Sequence, residues 1–131
     1  MTEIDFIKKV IGKPWSDRAC NFEKMDCWGL IVLYYRHVKG IELHHAEGYE
    51  SGEDFITCHQ GILWQWVIDG CQSPGSMVTF YSSGKPSHVG VITEGGKVLH
   101  SRGEFSGVRV DHLTSLMRFY HQVEFHKYAK A

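Results

Sequence analysis

The stretch "HVGVITEGGKVLHS", residues 88–101, decides how this chain folds. Two short β-branched runs flank "EGG", and their composition and spacing are those of paired antiparallel strands. The connection admits two readings. A loop of Glu94, Gly95 and Gly96 pairs Thr93 with Lys97 and Gly90 with His100, so that His88 and His100 share one face, diagonal to each other. A tighter Gly95-Gly96 turn puts the two imidazoles on opposite faces. A pair of histidines on a hairpin is by itself surface decoration. It gains chemical meaning only if a nucleophile lies nearby.

Working outward, "MVTFY" (77–81) and "GVRV" (107–110) are further short strands, separated by Gly, Ser and Pro. "HLTSLM" (112–117) reads as a helical turn, and "RFYHQVEFHKY" (118–128) has the alternation of an edge or half-exposed strand. Before "QSPGS" the period is helical. Phe6, Ile7, Val10 and Ile11 mark a first helix that Gly12 and Pro14 end. A polar loop runs to Lys24. Asp26 then caps a helix to about Lys39, stopped by Gly40, with Leu30, Ile31, Leu33, Tyr34 and Val38 predicting nearly all-round burial. Residues 42–52 read as loop. From Glu53 to Asp69 a second helical pattern includes Phe55, Ile56, Ile62, Leu63, Trp66 and Val67, weakened by Gly61. Helices followed by antiparallel strands, without repeat or linker, predict one α+β domain over residues 1–131.

Composition narrows the function. With 43% hydrophobic and 22% charged residues the chain is globular, and a net charge of -1 gives no electrostatic case for nucleic acid or an anionic membrane. No apolar run reaches the roughly 20 residues of a membrane span. "MTEIDFIKKVIGKPW" lacks the apolar segment of a secretory signal, so synthesis in the cytoplasm with Cys20, Cys27, Cys58 and Cys71 reduced is the expectation. The nine histidines raise the question of metal, but no C-x-x-C or H-x-x-x-H spacing occurs. No phosphate-binding loop and no carboxylate pair suited to a glycosidase is present.

Cys27, in "KMDCWGLI" (24–31), stands apart from the other thiols. At the first turn of a helix its sulfur would meet unpaired backbone N–H groups and the positive end of the helix dipole, which favours the thiolate. On position alone a buried structural cysteine is an equal reading. Cys20, Cys58 and Cys71 have no such setting and read as core. A thiolate nucleophile needs a base, and the base needs a group to orient it. His88 and His100 are the residues that could supply both.

"DCWGLI", "PGSMVTF" and "HVGVITEGGKVLHS", in that order, resemble the NlpC family of cell-wall peptidases, which are papain-like cysteine enzymes. That family shows an Asp-Cys-x-Gly-Leu helix start, a Pro-Gly-Asp-Leu-Val-Phe-like strand start, a His-Val-Gly-Ile strand and a second His at the end of the next strand. The resemblance runs over roughly residues 10 to 101. It implies a papain-like fold with Cys27 as nucleophile, His88 as general base and acid, and His100 as the orienting third member. It implies cleavage of peptidoglycan stem peptides, typically between D-glutamate and a diamino acid, with no metal and no cofactor.

Departures from the family pattern bear on substrate. Trp15 in "GKPW" stands where a Tyr is usual, Trp28 where a Ser is usual, and Ser76 where an acid is common. In the family the Tyr, the Asp before the Cys and the Ser after it hold the free amino end of a stem peptide, and of these only Asp26 remains. The expected substrate-facing set is therefore Trp15, Asp26, Trp28 and Ser87, with the two Trp favouring a broader cleft that accepts stems still joined to sugar. "IGKPW", "DCWGLI" and "YYRHVKGIEL" resemble the branch found in tail-tip proteins of long-tailed bacteriophages, which implies other tail-tip proteins as partners and a place in the virion tail. A catalytically silent tail protein of this fold, or an acyltransferase resolving the thioester with an amine, would carry the same residue types.

Overall fold

The computed structural model describes residues 1–43, 66–68, 73–103, 106–120 and 122–128. The helical pattern over 53–65, the loop from 44 on, Cys58 and Cys71 lie outside the described residues.

Helix α1, Glu3–Val10, begins where the Thr2 hydroxyl accepts the Asp5 N–H at 3.1 Å. Glu3 and Asp5 in its first turn and Lys8 and Lys9 in its last both complement the helix dipole. Its core face presents Phe6 and Val10. The Glu3 carboxylate accepts the Tyr34 hydroxyl at 2.8 Å and the Glu94 N–H at 3.0 Å, tying α1 to the second helix and to the tip of the hairpin.

The segment expected as polar loop contains a small hairpin, β1 (Cys20–Asn21) and β2 (Lys24–Met25). Asn21 makes it, because its side-chain oxygen accepts the Glu23 and Lys24 N–H groups at 2.9 and 3.1 Å. Helix α2, Cys27–Tyr34, buries every one of its residues, as its unbroken apolar run predicts. It continues as a π-helical turn, Tyr35–Lys39, and ends at Gly40 in the left-handed region with φ 68°.

The strands are β3 (Trp66–Ile68), β4 (Met77–Ser82), β5 (Lys85–Ile92), β6 (Val98–Ser101), β7 (Val108–Asp111) and β8 (Gln122–Tyr128). They form one antiparallel sheet in the order β3-β8-β4-β5-β6-β7. A short helix α3, Leu113–Leu116, precedes β8. One expectation needs correction. Residues 66–68 close the predicted helix but form a strand, since Trp, Val and Ile suit a ladder and β8 supplies one. Strand β8 is half-exposed, one of the two readings its alternation allows, and β3 pairs with His126–Tyr128 at its end.

The sheet has two different faces. Met77, Val89, Val91 and Leu99 pack beneath α1 and α2 with Phe6, Val10, Leu30 and Ile31. Val78, Phe80, Ile92 and Val98 point the other way and meet Leu116 of α3, with Tyr120, Val123 and Phe125 around them. The alternation along β5 and β6 therefore puts His88 and His100 outside the α1–α2 core, with His88 beside Phe80 and Tyr120. The architecture is α+β and papain-like, as expected. Among the described residues no helix is long and apolar enough to cross a membrane.

Candidate active site

The hairpin takes the longer of the two turns. Gly96 donates to the Thr93 carbonyl at 2.9 Å, Thr93 N–H donates to the Lys97 carbonyl at 2.8 Å, and Gly96 sits at φ 82°. This is a type I turn followed by a left-handed residue, which a glycine accepts without strain. The pairing of Val91 with Leu99 continues to place Gly90 opposite His100. His88 and His100 consequently share a face, and His88 Nε2 lies 2.8 Å from His100 Nδ1.

Two devices aim these rings. A bulge separates the Phe80–His88 and Tyr81–Pro86 pairs, leaving Ser87 as the extra residue, and its hydroxyl donates to the Phe80 carbonyl at 3.3 Å. Opposite His100, a Cβ on Gly90 would stand 2.5 Å from Val98 Cγ1 and 3.1 Å from the Leu99 carbonyl oxygen. Glycine there lets β6 close on β5.

The chain of contacts continues beyond the pair that sequence reasoning identified. His100 Nε2 lies 2.8 Å from Asp111 Oδ2, and Arg109 grips the same carboxylate through Nε at 2.8 Å and Nη2 at 3.2 Å. Arg109 stands directly across from His100 on β7, with Asp111 two residues on and so on the same face. Asp111 was missed because the strand was read as ending at Val110. Burial works to raise the Asp111 carboxyl, but hydrogen bonds and charge from His100 and Arg109 win and hold it below its ordinary value. Burial lowers His100; Asp111 pulls it up, Arg102 and Arg109 push it down, and the result stays below an ordinary imidazole. His88 is held well below the ordinary value by burial first, then by the charges of His100 and Arg102. Both rings are neutral near pH 7.

Cys27 sits at the start of α2, only 8% exposed. The N–H groups of Val89, Trp28 and Cys27 itself are directed to its sulfur, which brings it against β5 one residue beyond His88. The Trp28 and Cys27 donors are the ones the helix-start argument anticipated, and Val89 adds one from β5, but together they do not prevail. Burial first, and the Asp26 charge second, push the thiol up to about 12. The expectation of a resting thiolate is thereby corrected: desolvation outweighs the helix N-terminus. Ser101 fixes the distance between the two halves, its buried hydroxyl donating to the Met25 carbonyl at 2.8 Å.

Tyr120 and Arg102 complete the surroundings, and neither was anticipated. The Tyr120 ring stacks on His88 at 5.9 Å and 8°, and against Phe80 at 4.9 Å. Burial raises its phenol, Arg102 lowers it, and the charge of Cys27 raises it, so Tyr120 is close to both halves of the site. Arg102 rests on the Phe119 ring at 4.2 Å and lies close enough to His88 for its charge to lower that imidazole. The sequence signal for Tyr120 was obscured because 118–128 was read as one strand, whereas the strand begins at Gln122.

Of the expected substrate-facing residues, two are placed otherwise. Trp28 is fully buried in the core under α2, because the helix packs on all sides. Asp26 is 4% exposed, and its two oxygens accept the Gly29 N–H at 2.8 Å and the Arg18 N–H at 2.9 Å, so it holds the start of α2 and the loop before it. Ser87 is exposed at the bulge beside His88. Trp15 is half-buried in the loop whose Pro14 carbonyl accepts the Met25 N–H at 3.2 Å. Among the described residues no cluster of three His, Cys, Asp or Glu side chains is arranged to hold a metal ion.

A buried thiol at a helix start, beside a sheet carrying a His–His–Asp chain, has the residue types and order of a papain-like cysteine site. Comparison with known proteins gives the family: the NlpC/P60 family model matches residues 12–127, and the chain belongs to that family. Among curated proteins, the tail tip assembly protein K of Escherichia phage N15 is 30% identical over 94 residues, which cover 66% of this chain. The chain spans 39% of that relative's length. Among solved structures, the NlpC/p60 domain of peptidoglycan hydrolase SagA superposes with a TM-score of 0.61 at 18% identity, covering 94% of this chain and 92% of that one. NlpC1 from Trichomonas vaginalis gives 0.62 at 19% identity, covering 95% of this chain and 42% of its own. At these identities the structural matches speak for the fold.

Proposed function

We propose that this chain is a cysteine endopeptidase that hydrolyses peptidoglycan stem peptides between D-glutamate and a diamino acid, and that it does so at the tip of a phage tail. The observation that carries the reaction class is the 2.8 Å contact between His88 and His100 on the strand that Cys27 packs against. Family membership supports the cell-wall substrate, and likeness to a tail tip assembly protein supports the location and other tail-tip proteins as partners.

The mechanism follows from the resting charges. With thiol and imidazole both neutral, no ion pair is stored in the site, and proton transfer accompanies attack. The His88 nitrogen not engaged by His100 takes the Cys27 proton as the sulfur bonds to the scissile carbonyl carbon. The Cys27 backbone N–H is one donor to the oxyanion that forms. His88 then protonates the departing amine as the C–N bond breaks, leaving a thioester on Cys27. Water, deprotonated by His88, attacks that thioester and releases the acid and the free thiol.

Mass spectrometry of muropeptides released from purified sacculi tests this reading, with Cys27→Ala alongside and with the protein taken alone and within an assembled particle. New free-amine diamino-acid ends that appear with wild type and not with Cys27→Ala are the expected result. No release from either diaminopimelate or lysine walls in both states would overturn it in favour of a structural role.

A further inference from the structure

We propose that Asp111 is a positioning residue: through His100 it fixes the direction of the hydrogen-bond chain so that His88 keeps its second nitrogen, Nδ1, as an open lone pair. The inference rests on His88 acting as the base, and it adds what makes His88 a base rather than a donor.

With both rings neutral, donor and acceptor counting sets each step. An ionised carboxylate can only accept, so the hydrogen in the 2.8 Å contact between Asp111 Oδ2 and His100 belongs to His100 Nε2. A neutral imidazole has a single N–H. His100 Nδ1 therefore carries a lone pair, and the hydrogen in its 2.8 Å contact with His88 belongs to His88 Nε2. His88, neutral as well, is left with a bare Nδ1. The contact between the two rings alone does not decide this. With the hydrogen on His100 Nδ1 instead, the same 2.8 Å would hold, His88 Nε2 would accept, and His88 Nδ1 would carry the hydrogen. A ring in that state cannot take a proton from a thiol. Asp111 selects between the two chains.

Arg109 makes the selection firm. Its two contacts, at 2.8 and 3.2 Å, hold the carboxylate in plane and ionised. Among the described residues, the other charged and titratable groups facing the pair are Arg102 from the end of β6, Tyr120 from the turn before β8 and Cys27 from α2. Of these, Arg102 can only donate and Tyr120 stacks on the ring face, so neither can replace Asp111 as an acceptor for His100.

A double-mutant cycle with a tautomer measurement tests the proposal. In wild type, long-range proton–nitrogen NMR of the imidazoles should show His88 and His100 both protonated on Nε2. Asp111→Ala should lower kcat by roughly 10- to 100-fold, the usual effect of removing a partner that orients a functional histidine, with KM little changed. In a His100→Asn background the amide oxygen accepts from His88 directly and does not reach Asp111, so Asp111→Ala should then cost far less. The same cycle is read without peptide as the rate of Cys27 alkylation. Wild-type His88 protonated on Nδ1, or an equal loss from Asp111→Ala in both backgrounds, overturns the proposal. A wild type that shows the expected tautomers and alkylation cycle but cleaves no wall peptide sinks the peptidase reading and leaves this one standing.

Discussion

Around Cys27, helix α2 buries all eight of its residues and offers the sulfur only backbone N–H groups, whereas the His88 side is a line of polar side chains that ends at the exposed Arg109. The first region is built for placement and the second for proton traffic. Burial raises the thiol and lowers the imidazole, so each half by itself rests in its neutral, unreactive form. Reactivity then belongs to neither half. In the proposed reaction it arises when a bound substrate lets the proton cross from sulfur to nitrogen.

The largest effect expected is the loss of the polar half. His88→Ala leaves Cys27 in place but without a proton acceptor, and kcat on stem peptides should fall roughly 10² to 10⁴-fold. His100→Gln or His100→Asn should keep more activity than His100→Ala, since an amide oxygen can still hold the His88 ring. If His88→Ala retained a tenth of wild-type turnover, the division of labour between the two regions would be wrong.

The pH profile sharpens the same contrast. A stored ion pair would give a bell whose alkaline limb is the imidazolium losing its proton above neutrality. Here the imidazole loses its proton below its ordinary 6.5, and the thiol keeps its own until about 12. The expected kcat/KM therefore rises through an acid limb below 6.5 and stays level through mildly alkaline pH. An alkaline fall near pH 8 would show that Cys27 and His88 rest as ions.

How much of this could be read from sequence follows the same line. The start of α2 was legible because Asp26 is a capping residue before an apolar run, and the four strands β4 to β7 were legible from their period. The shape of the hairpin turn was not decidable, since both turns suit the same alternation; the hydrogen bonds of Thr93 and the left-handed Gly96 decide it. Asp111 and Tyr120 stayed hidden for a different reason. Neither lies in a motif, and each matters only because β7 and the turn before β8 come to lie beside His100 and His88. Trp28 was misplaced because a position next to the nucleophile was taken as facing the cleft, while a helix buried on all sides turns it into the core.

A smaller effect concerns the glycine that lets the two imidazoles meet. Gly90→Ala would put a Cβ 2.5 Å from Val98 Cγ1 and 3.2 Å from His100 Cβ, so β6 must shift outward. We expect a loss of roughly 1 to 3 kcal/mol in unfolding free energy, as for overpacking in general. kcat should fall too, because the shift lengthens the contact between the rings. Unchanged kcat in a folded Gly90→Ala would show that the 2.8 Å contact is not needed for turnover.

The smallest effect probes the apolar half and has opposite signs in two measurements. Asp26→Ser keeps a short side-chain oxygen for the Gly29 N–H, but leaves the Arg18 N–H without its acceptor and removes a negative charge beside the sulfur. Loss of part of a cap costs roughly 0.5 to 2 kcal/mol, so Tm should drop. The same change removes the second cause of the raised thiol, so Cys27 should be alkylated faster than in wild type at one fixed pH, though still slowly because burial is the first cause. Local loosening could also speed labelling, and the two are separable. A lost charge shifts the pH dependence of labelling to lower pH, whereas loosening raises the rate at every pH without moving the curve. A curve that stays in place would assign Asp26 to holding α2 alone, and would leave desolvation as the whole reason that this thiol rests protonated.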